Sequence, residues 1–453
     1  MDLVLSGGTV VTALDPPSVT FASIAVRDGR VAAVEGGVTP AASSIDCTGC
    51  LVIPGNVCAH HHLYSSLARG MPYRLEPPET FVQVLQRVWW RLDRALDPSS
   101  IHWSAWSGGA DALLAGTTTI VDHHASPFAI EDSLEWVDRG LRGLGVRRIL
   151  CYEVTDRDGL DTAAAGLEET RRRLKENISD REGLGPIRRT MVGAHASFTL
   201  SEETLAACVS LANEFDVGIH VHVAEDAADQ RDAEARFGRR VIERLADAGA
   251  LTERSLLAHC VHVGDREIDL IRDSGAWVAH NPRSNMNNRV GRAPVARLGE
   301  RVALGTDGIG GDLFAESQAA YWRGHEDDPS ISPSWMLGRV AAGAAFAGRG
   351  FGEPLLGRIE PGAPADLVVL DYDPPTPLSA ENLAGHWVFG LSASHVRDVV
   401  VDGSVVVRER RLLRGGEGEP GAFTQAAAQE LWERMDAIPA HPFEPAGDER
   451  RWR

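Results

Sequence analysis

The sequence predicts an α/β fold: a (β/α)₈ TIM-like barrel joined to a small β-sandwich domain built from both chain ends. Three observations lead there. Both ends pattern as strands, the middle alternates short apolar runs with helical stretches, and polar residues fall where the apolar runs stop. At 453 residues, 43% hydrophobic and 24% charged, the chain has globular composition and room for a whole barrel plus an accessory domain.

Residues 1–54 read as the first part of the β-sandwich. The segment SIAVRDGRVAAVEG carries two apolar runs meeting at Asp28-Gly29, a hairpin signal. The signature returns in residues 357–453, where ADLVVLD precedes VRDVVVDGSVVVRER with a turn at Asp402-Gly403. That part ends in a helix, AFTQAAAQELWERMDAI, with Phe423, Ala427, Leu431 and Met435 on one stripe that packs on the body, followed by a loose HPFEPAGDERRWR. Between them, residues 55–356 repeat strand and helix through TTIVDHH, RRILCYE, TMVGAHA, GIHVHVAE, SLLAHC, AWVAHNP and VALGTDG. About eight such units favour a closed barrel over an open sheet. His62, His123, His195, Glu225, His259, His280 and Asp307 all lie at the C-terminal ends of apolar runs, the face on which barrels place their chemistry.

A net charge of -19 argues against nucleic acid or an anionic membrane as partner, because both need basic patches. A small molecule fits better. The start lacks a signal-like pattern and no apolar run approaches membrane-spanning length, so a cytoplasmic protein is expected. A homodimer is the default assembly. Six cysteines are scattered, and the one Cys47-x-x-Cys50 pair reads as packed thiols. The only lysine, Lys175, sits in a solvated helical stretch.

In PGNVCAHHHLYSSLARGM, His60 and His62 project to one side of a strand and can share a metal, whereas His61 points the other way. In GIHVHVAED, His220 and His222 share a face, and Glu225 follows close enough to reach water on a metal. His259 ends LLAH, and Asp307 lies in the Gly-rich turn of VALGTDGIGGD. Taken singly, each segment also admits a bland account: polar-loop histidines, core histidines with a surface glutamate, a turn-forming aspartate.

Together these motifs, HxH after PG, then HxAE, AHC, HNPxSN and GTDG, resemble the amidohydrolase superfamily in its cytosine-deaminase and triazine-hydrolase branch. WWRLDRALD, DHHASP, HNPRSNMNN and LGTDGIGGDLF are most similar to the SsnA-type aminohydrolases. The resemblance implies His60, His62, His222 and Asp307 as metal ligands, Glu225 as proton shuttle and His259 as the histidine beside the reacting group. Asp307 would also move the second proton, so Glu225, His259 and Asp307 form the catalytic set. It implies further that His195 faces substrate and that His280, with Ser284 and Asn285, forms the HNPxSN turn, His280 serving as a substrate contact. His61 between the paired histidines, and GAHASF where PHAPY is commoner, depart from the pattern.

Two-metal relatives bridge their ions through a lysine on the fourth strand, which this chain lacks, so one divalent ion per chain is implied. Zinc is the default and iron tolerates the same donors. Trp89 and Trp90 could cover a planar nitrogen heterocycle, with helix-core packing the alternative for one of them, and His124 and Arg283 could contact polar substituents. HExxH, GxSxG, the P-loop and the HxE/PCxxC deaminase signature are absent. The implied activity is a metal-dependent deamination. Ring opening of a cyclic amide or ureide, triazine displacement and a non-catalytic binding protein on the same fold are the alternatives.

Overall fold

The computed structural model describes residues 2–37, 43–179, 187–413 and 420–447. The N-terminal strands are β1 (Leu3–Leu14), β2 (Pro17–Arg27), β3 (Arg30–Glu35), β4 (Ser44–Asp46) and β5 (Leu51–Pro54). The β2–β3 turn carries Asp28 at φ 51° and Gly29 at φ 75°, the paired positive values a two-residue hairpin turn of this type needs.

The barrel follows in β6 (Asn56–His61), β7 (Thr117–His124), β8 (Arg147–Val154), β9 (Arg188–Thr190), β10 (Val192–Ala196), β11 (Ile219–Val223), β12 (Leu256–His259), β13 (Trp277–His280) and β14 (Val302–Leu304). Of these, β9 is a short partner at the side of β8, and the other eight run in parallel from β6 round to β14. The ring closes where Thr306 and Asp307 donate their backbone N–H groups to His60 O at 2.8 and 3.0 Å, and His62 N donates to Asp307 O at 3.1 Å. The eight strands of the ring are buried along their whole length, since helices cover the outside and side chains fill the inside.

The chain then returns to the first sheet through β15 (Leu367–Leu370), β16 (Val396–Val401), β17 (Ser404–Arg408) and β18 (Arg411–Leu412). Among the described residues, the end strands form one mixed sheet in the order β18-β17-β16-β15-β5-β1-β2-β3, with β4 beside β1. Leu5, Ile24, Ile45, Val52, Leu367 and Val400 belong to its own apolar core. The second hairpin turn repeats the first, with Asp402 at φ 49° and Gly403 at φ 73°. The two turns touch: a Cβ on Gly403 would lie 2.7 Å from Gly29 Cα.

Sheet and barrel are tied by an ion pair. Fully buried Arg147, at the start of β8, donates Nε to Asp366 Oδ2 at 2.7 Å and Nη2 to Asp366 Oδ1 at 3.0 Å, and reaches Asp402 Oδ1 at 3.1 Å. Arg147→Met leaves the Asp366 carboxylate buried with its main countercharge gone, which typically costs about 3–5 kcal/mol. The expected result is a clear fall in urea midpoint; an unchanged midpoint would make the pair dispensable.

The C-terminal helix Pro420–Asp436 buries Ala427, Leu431 and Met435 of the expected stripe. Phe423 is instead 53% exposed and stacks on Trp103. The segment after it is not loose through residue 447. His441 is buried, Gln86 Nε2 donates to Phe443 O at 2.8 Å, and Ala446 N donates to Asp232 at 2.7 Å. Local composition suggested looseness, but Trp90 and Phe198 offer Phe443 an apolar seat; residues 448–453 lie outside the described residues.

All six cysteines are buried and unpaired, and burial pushes the Cys47 thiol up to about 12. Lys175 is exposed on the helix Leu160–Ser179. No helix among the described residues is long and apolar enough to cross a membrane.

Candidate active site

At the C-terminal end of the barrel, β6 delivers His60 and His62, β11 delivers His222, β12 delivers His259, and the loop after β14 delivers Asp307. Each ring is held from behind. His62 Nδ1 donates to His123 O at 2.6 Å and His222 Nδ1 to His195 O at 2.8 Å. His60 Nδ1 meets His220 Nε2 at 2.8 Å; His220 Nδ1 lies 3.6 Å from Cys151 Sγ, which donates to Asp122 O at 3.4 Å. This relay fixes the tautomer of His60, leaving its Nε2 as a lone pair, as outer partners of metal-binding histidines do.

Those lone pairs meet. His62 Nε2 and His222 Nε2 face each other at 3.0 Å, Asp307 Oδ1 lies 3.1 Å from His62 Nε2 and 3.6 Å from His60 Nε2, and His60 Nε2 is buried without a hydrogen-bond partner. With both Nδ1 positions donating to carbonyls, the facing Nε2 atoms need a positive charge between them. Burial holds His60 and His222 well below the ordinary histidine range. Against the same burial, the hydrogen bond and charge of Asp307 push His62 up to about 9, which again places positive charge at this point.

The same donor set can hold a metal. Bonds of about 2.1 Å at tetrahedral angles set donor atoms about 3.4 Å apart, close to the distances seen here. His60, His222, His259 and Asp307 group within 4.8 Å. A second grouping of His62, His123, Glu153 and His222 shares two members with this centre. There, both ring nitrogens of His123 are engaged, by Glu153 and by His220 O.

Around this centre, Asp307 Oδ2 accepts from Ser284 Oγ, and His259 Nδ1 donates to Asn285 Oδ1 at 2.8 Å. His259 Nε2 is thereby turned toward Glu225 Oε2 at 3.6 Å and Asp307 Oδ2 at 3.9 Å. Asn288 Nδ2 donates to Glu225 Oε1 at 3.3 Å, and burial pushes the Glu225 carboxyl above the ordinary glutamate range. Ala224, His259 and Asp307 have φ of 45°, 73° and 51°, a left-handed backbone that non-glycine residues rarely adopt and that concentrates at functional sites.

A cleft opens above, lined by Tyr64, Trp89, Trp90, Phe198, His195, Glu153 and Asn288 besides His62, His222, Glu225 and Asp307. The helical segment 81–95 contains a π turn, Leu85–Trp89. A π turn shifts the side-chain phase. Trp89 lies over Gly308, whose added Cβ would meet it at 3.3 Å, whereas Trp90 is 1% exposed and packs on Phe443 and His441 as well as bordering the cleft. His195 borders the cleft with Nδ1 2.6 Å from Thr199 Oγ1.

Three expected contacts are not brought there. His123 turns inward on β7, so its neighbour His124 faces the other side, with Nε2 3.0 Å from Ser126 Oγ. Arg283 is claimed by fully buried Glu316 and by Gly310 O at 2.8 Å, so it secures the loop after Asp307 rather than a ligand. His280 is buried at the end of β13 and is not part of the cleft lining. His61 does face away from the centre, its Nδ1 2.9 Å from Thr306 Oγ1. Sequence reasoning missed Glu153 on the third barrel strand, although it ends the apolar run RRILCYE just as the other site residues end theirs.

Residues 51–406 match the amidohydrolase family model. The chain is 31% identical over 430 residues to a 5'-deoxyadenosine deaminase of Methanothermobacter thermautotrophicus, covering 92% of this chain and 96% of the relative. It is 34% identical over 407 residues, 86% of this chain and 89% of the relative, to a 5-methylthioadenosine/S-adenosylhomocysteine deaminase of Nitratidesulfovibrio vulgaris. Among solved structures it resembles a zinc-bound adenosine deaminase from Xanthomonas campestris, with TM-score 0.82, 23% identity and coverage of 96% and 99% of the two chains. With the motifs, the barrel and the histidine–aspartate centre agreeing along most of its length, the chain belongs to the amidohydrolase family.

Proposed function

We propose that this protein is an aminohydrolase that replaces an amino group on a nitrogen heterocycle with oxygen, using one divalent ion held by His60, His62, His222 and Asp307. The observation that carries this reading is the meeting of three imidazole Nε2 atoms and a carboxylate oxygen beside Glu225 under an aromatic cleft. Zinc is the ion this donor set favours, and iron would accept it too. The deaminase relatives favour loss of an amine over ring opening.

A bound divalent ion supplies Lewis acidity that brings the pKa of water toward neutrality. Glu225 takes one proton from the attacking water and delivers it to the ring nitrogen next to the reacting carbon. His259, aimed by Asn285, orients the incoming oxygen or polarises the electrophile. Asp307, its Oδ2 steadied by Ser284, passes the second proton to the departing amine. A C–O bond forms, a C–N bond breaks, one water is consumed and ammonia leaves. Trp89 and Tyr64 give a planar ring its walls.

A coupled ammonia-release screen over aminopurines, aminopyrimidines, pterins and triazines tests the reaction, with absorbance scans for ring opening alongside. Ammonia should appear in step with substrate loss, and elemental analysis should give about one zinc-like ion per chain. Substrate loss without ammonia, or two tightly held ions, would overturn the corresponding half of the proposal.

A further inference from the structure

Apart from the proposed ion and the histidines, the charged groups lining the cleft are acidic. Glu153, Glu225, Asp226, Asp229 and Asp307 line it, and no Arg or Lys is among the described residues that do. Four of these carboxylates have duties already. Glu225 and Asp307 belong to the reaction, and Asp226 caps the helix Ala227–Phe237 through Ala228 N at 2.8 Å. Asp229 accepts from Phe198 N at 3.0 Å and Ala224 N at 2.8 Å.

Glu153 has one oxygen to spare. Its Oε2 meets His123 Nδ1 at 3.2 Å, while Oε1 has His195 Nε2 at 3.8 Å and Arg157 Nη2 at 3.9 Å, both beyond hydrogen-bonding distance. Arg157 is engaged elsewhere, its Nη2 bonded to Asp93 and its guanidinium 5.3 Å from the Trp90 ring centroid. His195 adds a second acceptor: Thr199 Oγ1 donates to Ala196 O at 3.2 Å and therefore accepts from His195 Nδ1. The His195 Nε2 lone pair is thus left on the Glu153 side of the cleft.

We infer that Glu153 and His195 form the substrate-recognition edge, reading two adjacent N–H donors on an uncharged or cationic heterocycle and excluding ligands that carry carboxylate or phosphate. The inference rests on the aminohydrolase reading and narrows its substrate. A ring N–H beside an exocyclic amine, as in a 2-amino-4-oxopyrimidine, presents donors that Oε1 and Nε2 can accept. An N-methyl group at the ring position leaves Glu153 Oε1 desolvated without a hydrogen-bond donor, which is costly. An anionic group brought to this edge meets the Glu153 carboxylate and finds no Arg or Lys among the described lining residues, the proposed ion being held on the His62–Asp307 side.

Binding to the metal-loaded protein, followed by tryptophan fluorescence, tests this with isocytosine and guanine. Each is set beside its ring-N-methylated form, and isocytosine also beside its carboxylic-acid derivative. Each N–H form should bind ~10- to 100-fold tighter than its methylated partner, the range of a hydrogen bond to a charged group. The carboxylate derivative should bind more weakly than isocytosine itself. In Glu153→Leu the methyl discrimination should fall to about onefold, for lack of the charged acceptor.

Equal binding of a pair by the wild type, tighter binding of the carboxylate, no binding of any probe, or discrimination that survives in Glu153→Leu each overturns the inference. The wild-type arms decide it even if the variant does not fold. Ammonia is measured in parallel across the screened heterocycles, so selective binding with no ammonia released from any of them refutes the aminohydrolase reading and not the recognition edge.

Discussion

Glu225→Gln is expected to lower turnover by ~10²–10⁴-fold, the usual span for a general acid–base group, with the metal still bound. Glu225 follows His222 by three residues and leans toward His259 Nε2 at 3.6 Å, yet it lies outside the four proposed ligands. Glutamine keeps the size and the oxygen that Asn288 Nδ2 bonds at 3.3 Å, so the pocket should keep its shape. What it loses is the ability to carry a proton from water to ring nitrogen. Because one carboxylate serves both halves of that transfer, the upper part of the range is expected. Turnover on the substrate found by the ammonia screen, paired with elemental analysis, gives the answer. Near-normal turnover, or loss of the ion, would mean that Glu225 is structural or a ligand.

His222→Ala should give the opposite pairing, with metal and activity falling together. The substitution removes one of the two facing Nε2 atoms that call for positive charge, and also the Nδ1 donor to His195 O. Metal bound only by the folded chain stabilises it through mass action, by about 4 kcal/mol when free metal is a thousandfold above Kd. Thermal midpoints should therefore separate wild type from variant with zinc present and draw together once a chelator is added. A variant that keeps a full complement of metal would remove His222 from the ligand set.

The histidine–aspartate centre was legible because its signals are local. Strand periodicity alone turns His60 and His62 to one side and His61 to the other, and barrel geometry gathers residues that end apolar runs. The paired Asp-Gly turns were legible for the same reason. Arg283 was misread because its partner Glu316 lies on a different helix and nothing near Arg283 in sequence announces it. His124 misled because both neighbours in a His-His pair look equally polar, and only the inward turn of His123 decides between them. The separate fates of Trp89 and Trp90 depend on a π turn, which leaves no mark in residue type. The seating of His441 and Phe443 depends on Trp90, far away in the chain.

The sheet shared by both chain ends also governs the order in which the molecule can be made. Strand β5 pairs on one side with β1 and on the other with β15, with Leu367 set opposite Pro54. On a ribosome, β5 emerges early and its second partner only after every barrel strand has been made. At ~5–20 residues per second this leaves an edge uncovered for roughly tens of seconds. All four β5 residues are buried in the finished protein, so the waiting edge is apolar as well as unpaired, the kind of surface on which nascent chains stick to one another. The sheet that unites β5 with β15 thus keeps the earlier strand waiting, half-paired, until the whole barrel between them has been made.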